Sequence, residues 1–131
     1  TDHAPHHIEA KDCEWNAAAF GMLGLETAAS IAQEVLIESG KSDWNRLSQV
    51  LSQNPARIAG DSQQGQEIVA GSFANIVLID PNVKRKVVGK SASKSVNSPY
   101  VGLELPGKVV HTIYRGYFTV RDSKLAKQGR S

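Results

Sequence analysis

Between Gly60 and Gly65 the chain changes its periodicity, which limits it to folds that join a helical half to a β half. From Leu23 to Ser39 apolar residues recur at helical spacing. Leu25, Ala28, Ala29, Ala32, Val35 and Leu36 lie on or near one face, and Gly40 is placed to end the helix. Ser42 or Asp43 can cap a second helix with a buried stripe of Trp44, Leu47, Val50 and Leu51, and Asn54-Pro55 reads as the cap and first-turn proline of a short third. Beyond the polar stretch 61–65, β-branched and aromatic residues predict strands at Phe73 to Asp80, Val83 to Val88, Lys108 to Tyr114 and Tyr117 to Arg121, the last two joined at Arg115-Gly116 as a hairpin. The serine-rich stretch from Ser91 to Pro106 lacks any period and reads as a long surface connection ordered by tertiary contacts. The predicted class is α/β with a boundary near residue 64, and the tail from Lys124, which has no apolar residue after Ala126, is expected to fray.

Charge narrows the partners. With 15 basic and 13 acidic residues the net charge is +2, and the basic residues cluster only at Lys84, Arg85 and Lys86, read as a solvated strand face. That balance argues against nucleic acid. No apolar run approaches the roughly 18 residues of a membrane helix, so no membrane partner is expected. A single cysteine, Cys13, cannot close an internal disulfide and fits a reducing compartment, so the expected location is the cytoplasm.

The chemistry is concentrated at the start. Thr1-Asp2-His3-Ala4-Pro5-His6-His7 places a carboxylate, three imidazoles and a stiffening proline within a few positions. Asp and neutral His are ligands for zinc-like ions, and a carboxylate beside an activated water can also accept its proton and pass it on. A mobile terminus that happens to carry histidines, or Asp2 and His6 capping the turn after Pro5, would give the same local pattern. No HExxH helix, paired CxxC or GxSxG elbow accompanies it.

The order of four motifs carries more: TDHAPH at Thr1 to His6, FGMLGLET at Phe20 to Thr27, NPARIAG at Asn54 to Gly60 and SKSVNSPY at Ser93 to Tyr100, followed in character by the segment GQEIVAGSFANIVLIDP. Together they resemble bacterial dihydroorotase over nearly the whole chain. Hydantoinases and allantoinases share an aspartate-histidine pair like Asp2-His3 and the β segment, whereas His6 after Pro5, the Phe20-Gly21 pair and KSVNSPY look more like dihydroorotase. Asn75, where aspartate is common, and His7 are the departures.

The resemblance implies the last βα unit of a (β/α)8 metal-dependent hydrolase barrel, a TIM barrel, plus the C-terminal part of an accessory β-sandwich. Residues 1–64 would end the barrel, with Thr1-Asp2 closing strand eight. Residues 65–122 would supply the sandwich portion and 123–131 a tail. It further implies zinc, one or two ions, and reversible hydrolysis of (S)-dihydroorotate to N-carbamoyl-L-aspartate in pyrimidine biosynthesis. Asp2 would ligate the metal and act as general base, taking a proton from metal-bound hydroxide and giving it to the departing nitrogen. His6 would hydrogen-bond the substrate carboxylate, and backbone groups of Phe20 and Gly21 would contact the ring. His3 is read as a packing or supporting residue, His7 as an exposed loop residue, Trp15 and Trp44 as packing residues, and His111 and Cys13 as without catalytic role.

A catalytic zinc site needs several protein ligands, and the upstream HxH pair, bridging lysine and further histidines of the family have no counterpart here. The expectation is therefore a piece of a longer polypeptide, or one chain of a complex, inactive and unstable alone. Its partners would be the remaining barrel portion and a small cyclic amide, within a homo-oligomer or a carbamoyltransferase complex. The alternatives are a hydantoinase- or allantoinase-type amidase and a non-catalytic scaffold that binds a carbamoyltransferase.

Overall fold

The computed structural model describes residues 2–127. Helix α1 (Ala28–Gln33) runs on into a wider π-helical turn, Glu34–Glu38, before Gly40 closes it. It starts five residues later than its periodicity predicts, and the cause is tertiary. Met22 is bridged to His3 and its carbonyl accepts the Ala4 N–H, the Gly24 N–H goes to His3 Nδ1 and the Leu23 N–H to the Asn97 carbonyl at 3.2 Å, which holds residues 22–24 against other segments. Residues 24–27 then form a turn in which the Gly24 carbonyl accepts from Thr27 and Ala28.

The face of α1 that meets the sheet is polar. Ser30 and Gln33 are buried; Ser30 Oγ donates to the Gly107 carbonyl at 3.3 Å, and Gln33 Nε2 donates to the Pro81 carbonyl and to Glu38 Oε1, each at 3.0 Å. The apolar stripe borders an open groove of about 430 Å³, with Met22, Ile31, Ala32, Val35, Leu36 and Tyr100 along it.

The second and third helices expected from the sequence form one run. Helix α2 (Trp44–Ser48) is capped by Asp43, whose Oδ1 accepts the Arg46 N–H at 2.8 Å. A π-helical turn, Gln49–Gln53, then leads straight into α3 (Asn54–Ala59). Pro55 offers no N–H and would crowd the carbonyl four residues back in a regular helix; the wider turn immediately before it relieves that clash, so the proline does not begin a separate helix.

Four antiparallel strands follow in the order β1-β2-β3-β4: β1 (Ile76–Lys86), β2 (Glu104–Tyr114), β3 (Tyr117–Arg121) and β4 (Lys124–Leu125). Two strands expected on either side of Pro81 are one strand, with a register break between Asp80 and Lys84 that takes the proline out of the ladder it cannot donate to. Strand β2 begins four residues before the expected Lys108, because Glu104, Leu105 and Pro106 pair with Lys86, Arg85 and Lys84. Arg115 (φ 50°) and Gly116 (φ 86°) make the two-residue hairpin turn. The expected frayed tail starts as β4, paired through Val120↔Leu125; residues 128–131 lie outside the described residues.

Among the described residues the buried apolar side chains are Leu23, Leu47, Ala56, Val87 and Leu105. The accessible surface is 9937 Å², against about 6,700 Å² for a self-contained folded monomer of this mass. Much of the excess is apolar: Trp15 is 92%, Phe20 94% and Trp44 41% exposed, so within the described residues neither tryptophan is packed as its type suggested.

Candidate active site

Two short segments and one loop residue build the site. Asp2, His3 and Ala4 run parallel to the segment around Met22, with His3 bridged to Met22 and the Ala4 N–H donating to the Met22 carbonyl at 2.8 Å. Such a pairing brings residues 2–6 beside residues 20–24, which the sequence holds 18 positions apart. Gly21 permits the approach. Its φ of +98° is left-handed, and a Cβ there would collide with Ala4 Cβ.

Asp2 is exposed and itself sits at a φ of 46°, a conformation that Asp and Asn tolerate better than most residues. Thr1, the other half of the expected strand end, lies outside the described residues. His3 Nδ1 accepts the Gly24 N–H at 3.2 Å, so the proton of the neutral ring sits on Nε2 and no lone pair is left for a metal. His6 Nε2 lies 2.6 Å from the Phe20 carbonyl; a carbonyl can only accept, so Nε2 carries a proton and Nδ1 is the nitrogen left for a ligand. His7 is exposed. His111 lies far along the sheet in β2, its Nδ1 accepting the Asp122 N–H and its ring edge-on to Phe118.

Sequence reasoning missed three residues. Lys11 Nζ donates to the Ala19 carbonyl at 2.7 Å and to the Gly21 carbonyl at 3.1 Å. Arg85, read as part of a solvated face, donates to the Glu26 carbonyl at 2.6 Å. Asn97 joins everything: its Nδ2 donates to the Ala4 carbonyl at 2.9 Å, its Oδ1 accepts the His6 N–H at 3.3 Å, and its own carbonyl holds Leu23. SKSVNSPY had drawn attention to this loop, but a contact spanning more than ninety residues leaves no local pattern. Each side-chain hydrogen bond of this kind contributes about 1 kcal/mol, and a buried partner left unmade costs more. Asn97→Ala is expected to destabilise the fold by about 2 kcal/mol. Asn97→Asp, which keeps Oδ1 but sets an acceptor against the Ala4 carbonyl, should do at least as much damage; urea midpoints equal to the parent's for both would remove Asn97 from this role.

As to metal, no three His, Cys, Asp or Glu side chains converge on a possible ion position among the described residues. The exposed Asp2 carboxylate could supply one oxygen donor to a zinc-like ion. At least two more protein ligands would have to come from beyond these residues.

No family model matches the chain. Among curated proteins it is 50% identical over 123 residues to the dihydroorotase of Leifsonia xyli, covering 93% of this chain and 28% of that protein. It is 48% identical over 126 residues to the dihydroorotase of Streptomyces coelicolor, covering 95% and 29%. The chain thus spans less than a third of the curated relatives it matches. Among solved structures, a D-hydantoinase (dihydropyrimidinase) from Thermus sp. superposes with a TM-score of 0.82 at 25% identity over 98% of this chain and 29% of that one. An L-hydantoinase from Arthrobacter aurescens gives 0.82 at 28% over 97% and 29%.

Proposed function

We propose that this chain, a homologue of the dihydroorotases over nearly its whole length, carries the acid/base carboxylate and part of the substrate surface of a zinc-dependent dihydroorotase. The reaction is the reversible ring opening of (S)-dihydroorotate to N-carbamoyl-L-aspartate in pyrimidine biosynthesis. One observation supports it above the rest: the segment that carries Asp2 and His6 is laid beside the Phe20-Gly21 backbone by the His3–Met22 pairing and the His6–Phe20 hydrogen bond.

Zinc, when bound, supplies a Lewis acid for the ring carbonyl and lowers the pKa of water. Asp2 would be one of its ligands. Its carboxylate receives the proton lost as water attacks the amide carbon and returns it to the ring nitrogen as the C–N bond breaks; ring closure runs through the same two transfers in reverse. His6 keeps its Nε2–H on the Phe20 carbonyl, so it reaches the substrate carboxylate through Nδ1, as a donor when the ring carries its second proton. Phe20 and Gly21 present backbone groups to the ring. On this reading α1 is the last barrel helix, its uncovered apolar stripe faces the rest of the barrel, and β1 to β4 belong to the accessory sandwich. The large exposed surface, with apolar side chains such as Trp15 and Phe20 uncovered, supports a chain that works packed against further protein.

Hydantoinase chemistry is the competing reading, since hydantoinases are structural neighbours, but their identity of 25–28% stands well below the 50% and 48% of the two dihydroorotases. An intact mass under denaturing conditions, then zinc content and turnover on the same purified sample, tests the proposal. Zinc together with dihydroorotate turnover is the expected result in material containing the complete polypeptide. Zinc with turnover of hydantoins and none of dihydroorotate would overturn it.

A further inference from the structure

We propose that Lys11 is a positioning residue for substrate binding, which together with His6 fixes the peptide planes through which Phe20 and Gly21 meet the ring. The inference rests on the dihydroorotase reading above. Three consecutive carbonyls, those of Ala19, Phe20 and Gly21, are each held by a side chain: the first and third by Lys11 Nζ at 2.7 and 3.1 Å, the middle one by His6 Nε2 at 2.6 Å. A peptide unit is planar and trans, so holding a carbonyl fixes the direction of the following N–H, which lies antiparallel to it. The Phe20 N–H must therefore face away from Lys11, and the Gly21 N–H away from His6.

Glycine makes the tether necessary. Gly21 has the widest backbone freedom of any residue type and sits at a φ of +98°, so the plane that follows it is the one least constrained by its own sterics. Lys11 holds that plane by its carbonyl. The same ammonium polarises the Ala19–Phe20 amide, making the Phe20 N–H a stronger donor to a substrate oxygen. Nothing else in the local sequence requires a cation here, because Lys11 is half-buried beside a loop whose ends are already closed by the Ala19 N–H to the Ala10 carbonyl at 2.8 Å.

The test uses the complete active polypeptide. Lys11→Met keeps the apolar stem and removes the donors; it is expected to raise KM for dihydroorotate roughly tenfold, the worth of about one charge-assisted hydrogen bond, with kcat within a factor of about three. Lys11→Arg, which can span both carbonyls, is expected to recover most of that loss, a rescue that a merely structural role would not produce in KM. Should Lys11→Met not accumulate, Lys11→Leu, which also lacks a donor, gives the same readout. An unchanged KM in an enzyme that still turns over dihydroorotate overturns the role of Lys11 alone, as does a fall in kcat and melting temperature with KM untouched. Absence of turnover in the parent protein would instead defeat the functional reading and this inference with it.

Discussion

Asp2→Asn is expected to lower kcat for dihydroorotate by about three orders of magnitude while KM changes by no more than a few fold, because a positioned acid/base contributes about 10²- to 10⁴-fold. Asparagine is the informative replacement. It matches the carboxylate in size, keeps an oxygen that can face a metal, and is the residue best suited to the left-handed φ of 46° that Asp2 adopts. The segment should therefore stay where the Ala4–Met22 and His3–Gly24 hydrogen bonds hold it. What asparagine lacks is a site for the proton. Steady-state kinetics in both directions, with metal content measured on the same preparations, check the assignment: hydrolysis and ring closure should fall together, since both pass the same proton through Asp2. A variant that keeps its zinc and loses less than about tenfold in kcat would mean that Asp2 does not carry the proton.

The parts of this fold legible in the sequence are those decided by neighbours in the chain. Arg115-Gly116 announces a hairpin because two consecutive left-handed residues are a local demand, and Asp43 announces a helix start because its carboxylate caps an N–H three residues on. Where a distant group intervenes, pattern alone fails. Periodicity starts α1 at Leu23, but the pairing of Met22 with His3 and Ala4 holds that stretch against another segment; proline marks a break at Pro55, but the π-helical turn before it absorbs the misfit. The face of α1 is the instructive case. Its apolar stripe does not mark the face that meets the sheet: the contact with β2 is made by Ser30 and Gln33, whose side chains satisfy a carbonyl of β2 and one at the register break of β1. For the site, residue types alone left Asp2 and His6 equally readable as turn caps, and it was the order of TDHAPH, FGMLGLET, NPARIAG and SKSVNSPY that singled them out. Lys11 and Asn97 were not legible, since lysine and asparagine are ordinary surface residues until their hydrogen-bond partners are known.

Gly107→Ala is expected to destabilise the fold by about 3 kcal/mol, from two sources that can be separated. Gly107 is buried in β2 at a φ of +78°, where any residue with a Cβ is strained by about 1–2 kcal/mol. The added methyl would also overlap Gln33 Oε1. Gln33 is 1% exposed and is the polar bolt between α1 and the sheet, so pushing it aside strips the Pro81 carbonyl and Glu38 of their donor and leaves a buried amide to be resatisfied. Gln33→Ala alone should cost about 2 kcal/mol through the lost hydrogen bonds and the space left behind. In the double variant the alanine at 107 has room, so only the backbone strain is added, and the total should fall short of the sum of the singles by more than about 1 kcal/mol. Urea unfolding of the four proteins measures this. Strict additivity would show that Gly107 and Gln33 do not compete for one space, and the requirement for glycine would then rest on backbone conformation alone.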